Sequence, residues 1–115
     1  MGDVNDDMPS VINDARLYMS RHFTDPNLML PDVANAVNMS KSRFSAVFSQ
    51  YTGQTFTEYL IQLRLNRAKE LLKTTNYKNS QIAQETGYND SHYFSYIFKK
   101  NIGMTPSEYR AQYQN

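Results

Sequence analysis

Ser42, Arg43, Ser45, Ala46, Ser49 and Gln50 would share one side of a helix whose other side carries Phe44 and Phe48. Short hydroxyls, one amide and one guanidinium on a mostly small ridge suit hydrogen bonding inside a major groove. There an arginine reads guanine, and hydroxyls reach base edges or phosphates. Fifty positions later the same places hold His92, Tyr93, Ser95, Tyr96, Lys99 and Lys100, a larger and more basic set. Catalysis finds less support. His22 and His92 are the only histidines, they lie far apart in the chain, and no nucleophile, acid-base pair or metal motif accompanies them.

A serine-rich helix face is ordinarily plain solvent-facing surface, and tyrosines such as Tyr93 and Tyr96 ordinarily serve as core or interface aromatics. What lifts the nucleic-acid reading above that is an internal repeat. "FSAVFSQYTGQTFTEY", residues 44–59, and "FSYIFKKNIGMTPSEY", residues 94–109, align without a gap and share Phe44/Phe94, Phe48/Phe98, Gly53/Gly103, Thr55/Thr105, Glu58/Glu108 and Tyr59/Tyr109. Repetition at such a period marks one supersecondary unit built twice.

The elements that must position these side chains are helices. The set Val11 or Ile12, Ala15, Tyr18 or Met19, and His22 or Phe23 predicts a first helix with one buried stripe. In "LPDVANAV", Pro31 suits a first turn, and Leu30, Val33, Ala34 and Val37 share a face. Asn38, and Gly87 after "SQIAQETG", accept the positive φ of a tight turn between helices. A second helix follows each turn. Ser40 caps the first, with Phe44, Val47, Phe48 and Tyr51 expected to be buried, and Phe94, Ile97 and Phe98 repeat that face. Gly53 and Gly103 stop these helices, and "TFTE" and "TPSE" each form a capping box that opens the next.

Between the copies runs "FTEYLIQLRLNRAKELLKTT", with Phe56, Leu60, Leu63 and Leu71 on one side and Ile61, Leu65, Ala68 and Leu72 on another. Two apolar stripes predict a helix that serves two units, with Gln62, Asn66, Lys69, Glu70 and Lys73 in the remaining arc.

At 115 residues and 40% hydrophobic, the chain suffices for one core or two small ones. Without cysteine it forms neither disulfides nor a thiolate zinc site, and without an apolar span or signal sequence it is expected to be soluble and cytoplasmic. Its net charge of +1 conceals a division. Residues 1–38 carry two basic and six acidic side chains, a balance of −4; residues 39–115 carry ten and five, a balance of +5. The positive field therefore lies with the repeats, where it can attract a polyanion. A helical protein-interaction module is the alternative. It requires that substituting Arg43 or Lys99 leave activity unchanged.

Taken in order, "LPDVANAVNMSKSRFSAVFSQYTGQTFTEYL", "RLNRAKELLKTT" and "IAQETGYNDSHYFSYIFKKNIGMTPSEYR" resemble the AraC/XylS family DNA-binding domain, over residues 11–113. The wording of the second half is similar to output domains of bacterial response regulators. The resemblance implies an all-α fold of seven helices: a first helix-turn-helix subdomain at 11–54, a linker helix at 55–74 and a second subdomain at 75–115, behind a disordered acidic tail at 1–10. It also implies transcription regulation through double-stranded promoter DNA and RNA polymerase, with no cofactor or metal, an isolated domain that is monomeric and a full-length protein that dimerises. Base reading carries over onto Ser42, Arg43 and Ala46 in the first recognition helix and onto Ser91, His92 and Tyr96 in the second. Lys41, Ser45, Gln50, Thr55, Ser95, Lys99, Lys100 and Thr105 are expected on the DNA backbone. Family members often carry arginine where this chain has Ala46 and Tyr96, so the target sequence is not transferable. Asn79 and Thr86 stand where apolar residues are usual, which predicts a looser second unit.

Overall fold

The computed structural model describes residues 8–114. Among them the chain forms seven helices and no strand: α1 (Met8–His22), α2 (Leu30–Ala36), α3 (Lys41–Thr52), α4 (Phe56–Thr74), α5 (Asn79–Glu85), α6 (Ser91–Ile102) and α7 (Pro106–Tyr113). Residues 1–7 of the expected acidic tail lie outside the described residues. Residues 8–10 do not belong to a tail, because α1 begins at Met8 and buries that side chain. Contacts divide the chain into two compact units. The first holds the residues up to His22 together with Asn27–Ile61, and the second holds Phe23–Pro26 together with the residues from Gln62 onward. The division falls inside α4.

In the first unit, α1, α2 and α3 pack on one another. Ile12, Ala15 and Met19 from α1, Val33 and Ala34 from α2, and Phe44, Val47 and Phe48 from α3 are buried with Phe56 and Leu60 from the start of α4. Phe44 and Phe48 are completely enclosed, and each such ring contributes about 1.5–3 kcal/mol by leaving water. Phe48 meets Phe56 at 6.5 Å and Tyr59 edge-on at 5.3 Å, the favoured approach for aromatic quadrupoles. Tyr51 departs from expectation. Although it is spaced as a core residue, it is 44% exposed, one residue before the end of α3.

The second unit is built to the same plan. Phe94 and Phe98 are fully enclosed, 5.8 Å apart, and Phe98 meets Tyr109 edge-on at 5.6 Å. Leu65, Ala68, Leu71 and Leu72 from α4, Ile82 and Ala83 from α5, and Pro106 complete the core. Both polar replacements find partners there. Thr86, completely buried, donates its hydroxyl to Ile82 O at 2.7 Å and Ala83 O at 3.1 Å, and Asn79 Nδ2 donates to Ser95 Oγ at 3.0 Å. A buried polar group with a partner carries little penalty.

The turns before the recognition helices are the same device. Asn38 has φ 57° and Gly87 φ 98°, and the next N–H in each case reaches back five residues: Met39 N to Ala34 O at 2.9 Å, Tyr88 N to Ala83 O at 2.8 Å. This is the six-to-one bond of a Schellman ending, and it redirects the chain into the following helix.

Candidate nucleic-acid interface

Local caps set where α3 and α6 begin, and hence which side chains project. Arg43 N donates to Ser40 Oγ at 3.2 Å at the head of α3. At the head of α6, Asp90 Oδ1 accepts from His92 N at 2.8 Å and Tyr93 N at 3.3 Å. Gly53 and Gly103, with φ 76° and 88°, end the two helices. Beyond them, Thr55 N and Thr105 N donate to Glu58 and Glu108 Oε1 at 2.9 and 2.8 Å, while Glu58 N and Glu108 N donate back to Thr55 and Thr105 Oγ1 at 3.1 Å. Glu108 is thereby held below the ordinary glutamate range, chiefly by the Thr105 backbone bond and then by its hydroxyl.

With both phenylalanine pairs turned inward, the opposite faces carry the expected side chains outward. On α3, Lys41, Ser42, Arg43, Ser45, Ala46 and Gln50 are all exposed, and Arg43 has no ion-pair partner among the described residues. On α6, His92, Tyr96, Lys99 and Lys100 are exposed, whereas Ser91 and Ser95 are half-buried. Ser95 Oγ already accepts from Asn79, which leaves its hydroxyl proton free to donate outward. Ser95, Tyr96, Lys99, Lys100 and Thr105 line one shallow concavity, and Lys100 Nζ stands 5.9 Å from the centre of the Tyr96 ring. Thr55 is exposed and Thr105 half-buried; both hydroxyls accept in the capping boxes, and that of Thr105 also bonds the Glu108 carboxylate.

The geometry brings forward three residues that the expected contact set left out. Tyr93, 53% exposed, occupies in α6 the place that Arg43 occupies in α3. Arg64 in α4 is buried, donating Nε to Phe23 O at 2.8 Å and a terminal nitrogen to Asp25 O at 2.9 Å. Its guanidinium also lies 5.2 Å from the centre of the buried Tyr88 ring. Burial lowers the Arg64 pKa and raises that of Tyr88, since each charged form is less well solvated there. Arg110 in α7 donates to Thr75 O at 3.2 Å and Tyr77 O at 2.8 Å, and Gln114 Nε2 to Leu72 O at 3.1 Å and Thr75 O at 2.8 Å. Carbonyls at and just beyond the end of α4 are thus satisfied by the last helix. The signal for Arg64 is a cation inside an otherwise apolar helical stripe.

Among the described residues no group of three or more His, Cys, Asp or Glu could hold a metal ion, and no helix is long and apolar enough to cross a membrane.

Comparison with known proteins agrees with this architecture. A family model described as a helix-turn-helix domain matches residues 33–112. The arabinose operon regulatory protein of Salmonella typhimurium is 38% identical over 104 residues, which make up 90% of this chain and 37% of that protein. The arabinose operon regulatory protein of Escherichia coli is 36% identical over 90% of this chain and 36% of its own length. The chain thus spans little more than a third of these curated relatives. Among solved structures, the C-terminal domain of AraT, a response regulator from Geobacillus stearothermophilus, superposes with a TM-score of 0.89 at 35% identity, covering 91% of this chain and 87% of that one. The DNA-binding domain of AdpA, solved in complex with a target DNA, shares the fold with a TM-score of 0.83 at 24% identity, over 89% and 91% of the two chains. These relatives are regulators of transcription and give the alternative of a docking module no support.

Proposed function

Because the chain belongs to the AraC-type family of helix-turn-helix DNA-binding domains, we propose that it reads a two-box promoter site with α3 in one major groove and α6 in the next. The observation that carries this reading is the repeated register. In both units the helix after the Schellman turn presents its polar ridge outward, at positions fifty residues apart. Ser42, Arg43 and Ala46 meet the bases of one box, and Ser91, His92 and Tyr96 meet those of the other. Lys41, Ser45, Gln50 and Thr55, with Ser95, Lys99, Lys100 and Thr105, hold phosphates and so fix the position of each helix. The role is binding rather than catalysis. The domain acts as a monomer in the cytoplasm, as the output part of a longer bacterial regulator that dimerises through its other parts and acts on RNA polymerase.

Selection of duplexes from a random pool tests the reading. It should enrich two short boxes with centres about one helical turn, 34–36 Å, apart. Enrichment of a single box, or of none, contradicts it.

A further inference from the structure

Register position 93 holds a tyrosine where the first unit has its groove arginine, and position 96 holds another where the first unit has Ala46. Both rings are exposed, Tyr93 by 53% and Tyr96 by 59%, and their centroids are 6.4 Å apart at an interplanar angle of 34°. They are also braced. Tyr93 rests against the buried Tyr88 at 6.0 Å, and Tyr88 is fixed in turn by Phe94 at 5.6 Å and by the Arg64 cation on its ring. Lys100 lies over Tyr96, Lys99 is beside it, and α6 contains no carboxylate. An aromatic surface flanked by lysines matches a polyanion that also offers an apolar spot.

Resting on the DNA reading above, we propose that Tyr93 and Tyr96 select thymine in the second box through its 5-methyl group, whereas Arg43 selects guanine in the first. A phenol cannot supply the two parallel donors that guanine O6 and N7 reward. The thymine methyl is the one apolar group that a base edge shows in the major groove, and it is read by apolar and aromatic side chains. The bracing by Tyr88 presents the Tyr93 ring with little loss of rotamer freedom on binding, so the contact is preorganised.

The test uses the whole chain and the duplex it selects. Each thymine in the site is replaced singly by deoxyuridine, which deletes only the methyl, and affinity is read by fluorescence polarisation. One or two thymines of one box should each weaken binding about three- to fivefold, the value of one buried methyl. In Tyr93→Ala and Tyr96→Ala that sensitivity should vanish, while Tyr93→Phe and Tyr96→Phe should keep it, since the ring and not the hydroxyl makes the contact. Because both side chains are exposed, the alanine variants should retain their helical circular dichroism. Specific binding that ignores every deoxyuridine, or a Tyr93→Ala/Tyr96→Ala double variant with full affinity, overturns the inference while leaving the DNA reading intact. The latter result would give the aromatic pair to a protein surface instead. Failure to recover any specific duplex overturns both.

Discussion

Arg43 and Lys99 are both exposed cations on recognition helices, yet their surroundings assign them different work. Arg43 stands beside Ser42 and Ala46 on a ridge of small side chains, short enough for a guanidinium to reach base edges, and no carboxylate among the described residues pairs with it. Arg43→Ala should therefore cost about 1–3 kcal/mol on the selected site and much less on random duplex. Equal losses would reassign it to the backbone. Lys99 lines a concavity with Lys100, Ser95 and Thr105, donors of a kind that grip phosphate without reading sequence. Lys99→Ala should weaken binding on all sequences alike and lessen the slope of log K against log salt by about 0.9. A titration from low to physiological salt measures both. Gly87 is a residue-scale matter of another kind. With φ 98°, an added Cβ would lie 2.4 Å from Phe23 O and 2.7 Å from Arg64 Nε, whereas at Gly103, φ 88°, it meets nothing within 4 Å. Gly103→Ala should cost roughly 1 kcal/mol for the left-handed backbone alone, and Gly87→Ala clearly more, because the carbonyl and the arginine must also move. Urea midpoints of the two variants compare them directly.

At the scale of elements, the parts legible in the sequence were those set by short-range chemistry. Ser40, Asn38, Gly87 and the two Thr-x-x-Glu boxes act within five residues of themselves, so their types announced the helix ends that the structure displays. The paired phenylalanines were legible for a related reason, since a helix at i and i+4 has one side on which to bury them. The partners of Arg64 were not legible, because the accepting carbonyls of Phe23 and Asp25 lie about forty positions away and backbone groups carry no sequence signature. The exposure of Tyr51 escaped for a similar reason: periodicity gives the side of a helix but not how far its neighbours extend. The capping box of α7 yields a prediction in pH. Glu108 holds its proton less tightly when folded than when unfolded, so its stabilisation is complete above the ordinary glutamate value of 4.5 and is lost as pH falls through the lower folded value. Glu108→Gln, which keeps an acceptor for Thr105 N but not the charge, should lower stability at neutral pH, approach the parent in acid and so flatten the decline. Denaturant midpoints at pH 6 and pH 3 for both proteins decide this, and an unchanged acid decline would remove the box from the account.

For the whole molecule, the chain uses one plan twice and then lets the two copies diverge. The cores repeat the same aromatic contact, Phe48 on Tyr59 and Phe98 on Tyr109, while the outward ridges differ: small with one arginine on α3, aromatic with two lysines on α6. On the proposed reading, one scaffold with two different faces would give the chain two reading heads of different chemistry. The exposure of the candidate base readers was only partly legible: Ser42, Arg43, Ala46, His92 and Tyr96 lie on exposed faces as expected, whereas Ser91 is half-buried. Exposure depends on what packs nearby, and spacing alone does not report it. The central claim is that both heads engage one duplex together. Footprinting and affinity measurement on a series of sites with the spacer between the boxes lengthened stepwise test it most directly. Insertion of about five base pairs, half a helical turn, turns one box to the opposite side of the DNA and should remove most of the specific affinity, with both boxes protected only at the natural spacing. Affinity that stays constant across all spacings would show that α6 merely anchors the domain and that the two-box account is wrong.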